Sequence, residues 1–288
     1  MQLAYLYWKN CGATAQFTEE FHRALQSTVH LWQREQHHDE CSEYAFQRFD
    51  CPETDTLPCG GRGNPTAYTG MTWSGFRPSD DRCVYGYLVP SNMFAVVALG
   101  YMQQILSAFY RDPQLEAQIG ALKSQIEAGL RRYAPVDGPD GGIYAYEVDG
   151  LGHAVRMDDA NVPSLLSMPY FGYCAKDDPA YLRTRRWVLS PANPYYYAGS
   201  AACGVGSPQT PPDYIWHIAL AIQGLTSTDA AERERLLDWF EKTDAGTGLV
   251  HKGFHKDDPA RYTRPWFSWA NAMFVEFVLS VCRLEIAV

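Results

Sequence analysis

The stretch that decides the fold runs from Thr72 to Leu99 and reads TWSGFRPSDDRCVYGYLVPSNMFAVVAL. It begins with glycine, proline and two adjacent acids, and it ends in an apolar run that predicts a buried helix. Such a loop, leading into a rigid helix, is where binding and catalytic side chains concentrate. Its aromatic rings, guanidinium, carboxylates and amide suit the C–H faces and hydroxyls of a polyhydroxylated ring. The side chains concerned are Trp73, Phe76, Arg77, Asp80, Asp81, Tyr85, Tyr87 and Asn92.

A second interpretation of the paired acids needs no ligand. Ser79 or Asp80 can cap the N-terminus of the following helix, and Asp81 would then lie near its positive end. The residues alone leave both interpretations open.

Composition excludes some classes of partner. The chain of 288 residues carries a net charge of −9 and has a pI near 5.3, which argues against nucleic acid or an anionic membrane surface. The apolar runs look too short and too interrupted for a membrane span. Residues 1–8 lack the basic region and cleavage site of a signal peptide. The compartment stays open, and cytoplasmic is the expectation only for the sequence as written.

Cysteine spacing indicates no metal or redox motif. The eight cysteines are scattered and none forms a CxxC pair, so we expect free thiols. Cys51 and Cys59 flank a loop rich in proline and glycine, and an oxidising compartment would allow them to bridge. No motif indicates a metal or organic cofactor.

Outward from the opening stretch, the pattern repeats as loop, helix, turn, helix. Residues 43–71 read as a long irregular segment, and residues 141–149 as one short β-hairpin. We therefore expect an all-α fold and a single domain over residues 1–288, with loops on one side that build the site. Helices are predicted over residues 2–8, 17–40, 92–111, 113–133, 157–173, 179–188, 214–226, 229–242 and 265–284.

Several blocks in register resemble glycoside hydrolase family 125, whose members are exo-acting α-1,6-mannosidases. The resemblance covers nearly the whole chain and implies an (α/α)₆ toroid and an inverting mechanism. The blocks are MTWSGFRPSDD (71–81), YGYLVPSNMFAVV (85–97), YAYEVDGLG (144–152), MDDANVPSLLSMPY (157–170), NPYYYAG (193–199), GSPQTPPDYIWHIALAIQGLTS (206–227), TDAGTG (243–248) and YTRPWFSWAN (262–271).

An inverting glycosidase needs one carboxylic acid and one carboxylate, separated by roughly 6.5–9.5 Å so that a water fits between. The resemblance implies that the acid is Asp80 or Asp81. The family's base is a glutamate that follows a histidine, here His251, and Lys252 stands at its position. A lysine ammonium has no lone pair with which to take a proton from water, and its charge opposes an oxocarbenium-like transition state.

Other positions matched to the family are expected sugar contacts, although several have plainer interpretations. The acids at 158 and 159 can cap a helix, and a histidine on a helix face such as His217 is often a core residue. Four carboxylates are conceivable replacements for the base: Asp244, Asp257, Asp258 and Glu276. The expected substrate-binding residues are Trp73, Arg77, Asn92, Asp158, Asp159, Asn161, His217, His251, Arg264 and Trp266.

Family members that this chain resembles carry a further segment before the equivalent of QLAYLYW (2–8). The resemblance therefore implies a toroid that is incomplete at the N-terminus, and self-association through uncovered helix faces. We expect an exo-acting α-1,6-mannosidase acting on α-mannoside oligosaccharides with inversion. The alternative is an inactive mannoside-binding remnant or a gene fragment.

Overall fold

Helices are the main regular structure of the chain, which a computed structural model describes over residues 1–284. Several begin at a side-chain cap. Asp112 accepts a hydrogen bond from the backbone N–H of Leu115, and Pro113 fits the first turn because it has no N–H to satisfy. The helices are α1 (Gln2–Cys11), α2 (Glu19–Glu35), α3 (His38–Cys41), α4 (Pro58–Gly61), α5 (Val89–Phe109), α6 (Pro113–Tyr133), α7 (Pro179–Val188), α8 (His217–Leu225), α9 (Ala230–Lys242) and α10 (Ser268–Val281).

The strands are short and more numerous than the sequence predicts. The expected single hairpin at 141–149 is wrong, because Glu147–Val148 pairs with Tyr87–Leu88 on one side and Ala154–Val155 on the other. The strands are β1 (Tyr87–Leu88), β2 (Pro135–Val136), β3 (Ile143–Tyr144), β4 (Glu147–Val148), β5 (Ala154–Val155), β6 (Tyr196–Ala198), β7 (Cys203–Val205), β8 (Tyr214–Trp216), β9 (Gly253–His255) and β10 (Asp258–Thr263).

The chain divides into two compact units. Among the described residues, the first contains 1–135 and 145–155, and the second contains 136–144 and 156–284. The first unit holds the sheet β1-β4-β5, and the second holds β10-β9-β8 and β6-β7. The single domain expected from the sequence stays a prediction.

In the first unit the core is built on α5, which packs against α6. Leu99 and Met102 of α5 and Ile119 and Ile126 of α6 are fully buried. By length and composition α5 could cross a membrane, contrary to the expectation from the sequence, but 56% of its most apolar window is buried inside the protein. The core helix of a soluble protein has the same features, so α5 is weak evidence for a membrane span.

In the second unit α8 is buried along its whole length and packs against α9 and α10. Gly224 permits the close approach of α8 and α10, since a Cβ at that position would lie 2.3 Å from a ring carbon of Phe277. Burial of every side chain of α8 makes this helix the centre of the second core.

Three predicted helices differ from the structure. Residues 214–216, predicted as the start of the helix over 214–226, form strand β8. The helix predicted over 17–40 ends at Glu35, and α3 follows after a break. Residues 157–173 form turns, because the carboxylate of Asp158 accepts the backbone N–H groups of Leu165 and Leu166 at 2.8 and 2.9 Å. Donors taken by that side chain are not used in helical hydrogen bonds.

Candidate functional site

The paired acids lie at the tip of a hairpin formed by residues 74–86, called here the Asp80 hairpin. Its arms are joined by hydrogen bonds from the N–H of Ser74 to the carbonyl of Gly86 and from the N–H of Cys83 to that of Gly75. At the tip, the N–H of Arg77 donates to the carbonyl of Asp81 over 2.8 Å. The acids are therefore presented by a tight turn and do not cap a helix.

The two acids have different surroundings. Asp80 is exposed and adopts a left-handed backbone conformation with φ of 73°, which costs energy for a residue other than glycine and is found at functional sites. Asp81 is buried, and its carboxylate accepts a hydrogen bond from the Ser79 hydroxyl over 2.8 Å. The hairpin therefore holds one reachable carboxyl and one enclosed carboxyl.

Arg77, an expected sugar contact, is buried in an ion pair. Its Nε lies 2.5 Å from Oε1 of Glu147, and the two side chains are 6% and 0% exposed. Burial lowers the pKa of Arg77, but the charge and hydrogen bond of Glu147 raise it by more, so the pKa lies above its usual value. The guanidinium is thus committed to Glu147. Sequence reasoning missed Glu147 as a contributor, although the block YAYEVDGLG contains it.

Trp73 and Asn92 are also buried. The Trp73 indole stacks on the ring of His38 with 3.5 Å between the centroids. The Asn92 side chain accepts from the N–H of Thr72 and donates to the carbonyls of Thr72 and Leu88. Both side chains fix the segment that enters the hairpin, and their contact with a sugar stays a prediction.

A cavity of about 360 Å³ opens beside Trp73 in the first unit. Asp80 and Asp81 do not line it. Its lining residues are Leu31, Arg34, Glu35, Glu43, Tyr44, Trp73, Ser74 and Gly75.

Lys252 lies in a segment of the second unit called here the Lys252 loop (residues 243–266). Its Nζ donates to Oε1 of Gln209 over 2.6 Å and lies 4.4 Å from the ring centroid of Trp216. The residue is only 8% exposed. An ammonium over an indole face is stabilised by the ring quadrupole, so the cation has a defined place here.

Histidine rings brace the backbone around Lys252. His251 is buried, with Nδ1 2.7 Å from the carbonyl of Pro265, and it stacks on Tyr262. His217 is buried with Nδ1 2.8 Å from the carbonyl of His251. Burial lowers the pKa of His217 to about 3, so this ring is neutral. Both histidines hold the loop, and their sugar-binding role stays a prediction.

The expected contacts Asp158, Asp159 and Asn161 are all buried in the second unit. Burial raises the pKa of Asp158 to about 8. Oδ1 of Asp159 accepts from the N–H and the side-chain amide of Asn161. The structure gives this cluster a role in shaping a turn.

Arg264 and Trp266 are exposed at the end of the Lys252 loop, and Trp266 is 64% exposed. An exposed indole and guanidinium are available to a ligand without rearrangement, in contrast to the buried candidates. Their contact with a sugar is untested.

The carboxylates considered as replacement bases have local partners. Asp244 accepts from the N–H groups of Gly246 and Gly248, which lower its pKa. Asp257 accepts from the N–H of Ser200, and Oδ1 of Asp258 from that of Ala260. Glu276 accepts from the hydroxyl of Tyr170.

All eight cysteines are free thiols, as expected. Among residues 1–284 no group of three or more His, Cys, Asp or Glu side chains is placed to hold a metal ion.

Comparison with known proteins gives consistent relatives. A solved metal-independent alpha-mannosidase of Streptococcus pneumoniae, in a non-productive complex with alpha-1,6-mannobiose, is 53% identical with a TM-score of 0.96, over 99% of this chain and 67% of that chain. The meiotically up-regulated gene 157 protein of Schizosaccharomyces pombe is 39% identical over 98% of this chain. This chain spans 57% of the length of that yeast protein.

A more distant structure shows only a likeness of fold. A bacterial glucoamylase complexed with acarbose matches 70% of this chain and 34% of its own, with a TM-score of 0.52 and 14% identity. The sequence model of the family of metal-independent alpha-mannosidases (GH125) matches residues 1–279 of this chain. The chain therefore belongs to glycoside hydrolase family 125, the metal-independent alpha-mannosidases.

Proposed function

We propose that this chain is built for exo-acting hydrolysis of terminal α-1,6-mannosides with inversion, on an (α/α)₆ fold. The observation that carries the proposal is the Asp80 hairpin, which presents a carboxyl group at its tip in a member of an α-mannosidase family. The solved pneumococcal relative in complex with alpha-1,6-mannobiose supports the choice of substrate. The likeness to the glucoamylase structure supports the fold.

Proton donation to the departing oxygen is assigned to Asp80. The leaving group must reach the acid, and Asp80 is exposed whereas Asp81 is buried. The opposite assignment, with Asp81 as donor, requires the tip to open.

Activation of water is the step that Lys252 does not support. Its ammonium is held by Gln209 and by the face of Trp216, and an ammonium cannot accept a proton. This observation favours the second candidate function, a mannoside-binding protein without turnover. Self-association stays a prediction.

The deciding experiment measures mannose release from α-1,6-mannobiose by the chain as it stands, by Lys252→Glu and by Lys252→Met. The last variant removes the ammonium without supplying a base. We expect turnover only in Lys252→Glu. Turnover by the unchanged chain would exclude the binding-only candidate and require another carboxylate as base.

If no variant turns over, mannobiose binding measured by calorimetry decides between the candidates. Binding by the folded chain would support the mannoside-binding function. Absence of both turnover and binding would contradict both candidates.

A further inference from the structure

Glu147 collects hydrogen-bond donors from both arms of the Asp80 hairpin. Its Oε1 accepts from Nε of Arg77 over 2.5 Å, and its Oε2 accepts from the N–H groups of Val84 and Tyr85 over 2.8 and 3.0 Å. We call this carboxylate with its three donors the Glu147 clasp. Arg77 precedes the acids in sequence and Val84 follows them, so the clasp closes around the segment that carries both acids.

The clasp is anchored in the sheet of the first unit. Glu147 lies on β4, the central strand between β1 and β5, and its side chain is fully buried. A buried carboxylate is stable only where charges and hydrogen bonds compensate it, and here one guanidinium and two amides do so.

We propose that Glu147 is a positioning residue that holds the proton donor of the Asp80 hairpin in place, an inference that rests on the proposed function. Glu147 does not touch the reacting atoms; it acts through Arg77 and through the backbone of residues 84 and 85. A donor displaced by about 1 Å loses much of its effect on the reaction. The left-handed tip at Asp80 therefore has a rigid support outside the loop itself.

The chain offers a matched control in the second unit. Glu232 is also a buried carboxylate paired with an arginine, and it accepts from Arg185 over 2.8 Å and from Gln223 over 2.7 Å. Its hydrogen-bond partners are Arg185, Gln223 and Ser227, all of the second unit. Glu232→Gln therefore measures the general effect, on folding and activity, of removing a buried carboxylate that is paired with an arginine outside the hairpin.

The first test is amide hydrogen exchange in Glu147→Gln and Glu232→Gln, which needs no turnover. A glutamine at 147 turns an amide N–H₂ toward donors that need an acceptor, so we expect roughly tenfold faster exchange across residues 74–86. In Glu232→Gln exchange there is expected to stay unchanged and to rise only around residues 223–232. Unchanged exchange at 74–86 in Glu147→Gln, or an equal rise in both variants, would overturn the proposal.

The second test is kinetic and uses the Lys252→Glu background with α-1,6-mannobiose. We expect Glu147→Gln to lower kcat at least about tenfold with KM within about twofold, because the donor is misplaced while sugar binding persists. Glu232→Gln is expected to leave both unchanged. Equal kinetic effects of the two substitutions would also overturn the proposal.

The two tests separate failure of the clasp from failure of the proposed function. If no variant turns over, the mannosidase proposal fails, and exchange still decides whether Glu147 holds the hairpin. If Glu147→Gln does not fold, Arg77→Lys replaces it, since this change removes the Nε donor and keeps the charge. If amide exchange at residues 74–86 is the same in Arg77→Lys as in the unchanged chain, the proposal that Glu147 holds the hairpin is wrong.

Discussion

The Asp80 hairpin and the Lys252 loop are held in place by different physical means. The hairpin depends on one buried ionic group, the carboxylate of Glu147, which binds a guanidinium and two amides. The loop depends on histidine rings against backbone carbonyls, at 2.8 Å for His217 and 2.7 Å for His251. The Asp80 hairpin presents carboxyl groups, whereas the Lys252 loop presents an ammonium.

The structure that holds a catalytic position can persist when the side chain at that position changes its chemistry. The loop around Lys252 keeps a ring stack, a sheet and the hydrogen bonds of His217, His251 and Lys252, although an ammonium at position 252 cannot act as a base. Nothing in its packing requires a carboxylate there. A change of chemistry at one side chain is therefore compatible with an intact surrounding structure.

The largest expected effect tests the chemistry of the hairpin. In the Lys252→Glu background, Asp80→Asn should lower kcat/KM on α-1,6-mannobiose by roughly 10²–10⁴-fold, the usual contribution of a general acid. Asn tolerates the left-handed conformation at this position, so folding should persist. Steady-state kinetics measure the loss.

A second substrate sharpens that result. An aryl α-mannoside whose leaving group needs little protonation should lose much less in Asp80→Asn. Asp81→Asn should cost less than Asp80→Asn on mannobiose. The reverse order would transfer the role of donor to Asp81.

The next effect compares how tightly the two regions are packed. A Cβ at Gly86 would lie 2.0 Å from Nε1 of Trp73, whose ring is stacked on His38, so Gly86→Ala should lower the free energy of unfolding by roughly 3 kcal/mol. At Gly248 in the Lys252 loop there is nothing within 4 Å, and φ is +67°. Gly248→Ala should therefore cost only about 1 kcal/mol, from backbone strain. Urea denaturation of both variants measures the difference, and equal costs would contradict it.

His217 in the second unit should make one defined contribution to the pH dependence of stability. His217 has its pKa lowered from 6.5 to about 3, so below pH 6.5 the unfolded chain takes up a proton that the folded chain does not. Its contribution is constant above pH 6.5 and falls by about 1.4 kcal/mol per pH unit between pH 6.5 and 3. His217→Gln should remove this contribution, which is measured as the pH-dependent difference between thermal melts of the variant and of the unchanged chain across that range. Substitution of the exposed His30 by Gln should leave it in place.

The smallest effect is expected at Lys252 itself. Lys252→Met removes the hydrogen bond to Gln209 and the cation–π contacts with Trp216 and Phe267, and it also removes the cost of enclosing an ammonium. These contributions oppose each other, so the free energy of unfolding should change by less than about 1 kcal/mol. A loss of several kcal/mol would mean that the loop needs the cation. It would contradict the view that the structure of the loop does not depend on the side chain at position 252.

Sequence analysis performed best where local chemistry decides the structure. The bounds of α6 and α7 are as predicted, since an aspartate followed by proline caps the start of each helix. The predicted helix over 157–173 is wrong because a side-chain carboxylate, Asp158, takes backbone donors several residues away. Residue types alone single out Asp80 and Asp81, and the family resemblance adds their expected catalytic role, but neither predicts that Asp80 is exposed and Asp81 buried.

The role of Glu147 could not be predicted from periodicity or spacing. Its partner Arg77 lies 70 residues away in sequence, and both are residue types that are usually exposed. The burial of Trp73 and Asn92 has the same origin, since both pack against elements that only the fold brings near. Hydrophobic periodicity and residue spacing do not predict contacts between residues so far apart in sequence.

The left-handed turn at Asp80 has an evolutionary consequence. A single base change converts an aspartate codon to asparagine or glycine, and both residues accept a φ of 73° more readily than most. Conversion to valine, also one base away, would instead strain the turn. Selection for a folded chain therefore does not by itself protect the carboxyl group, and lineages relieved of selection for catalysis would lose it while keeping the hairpin.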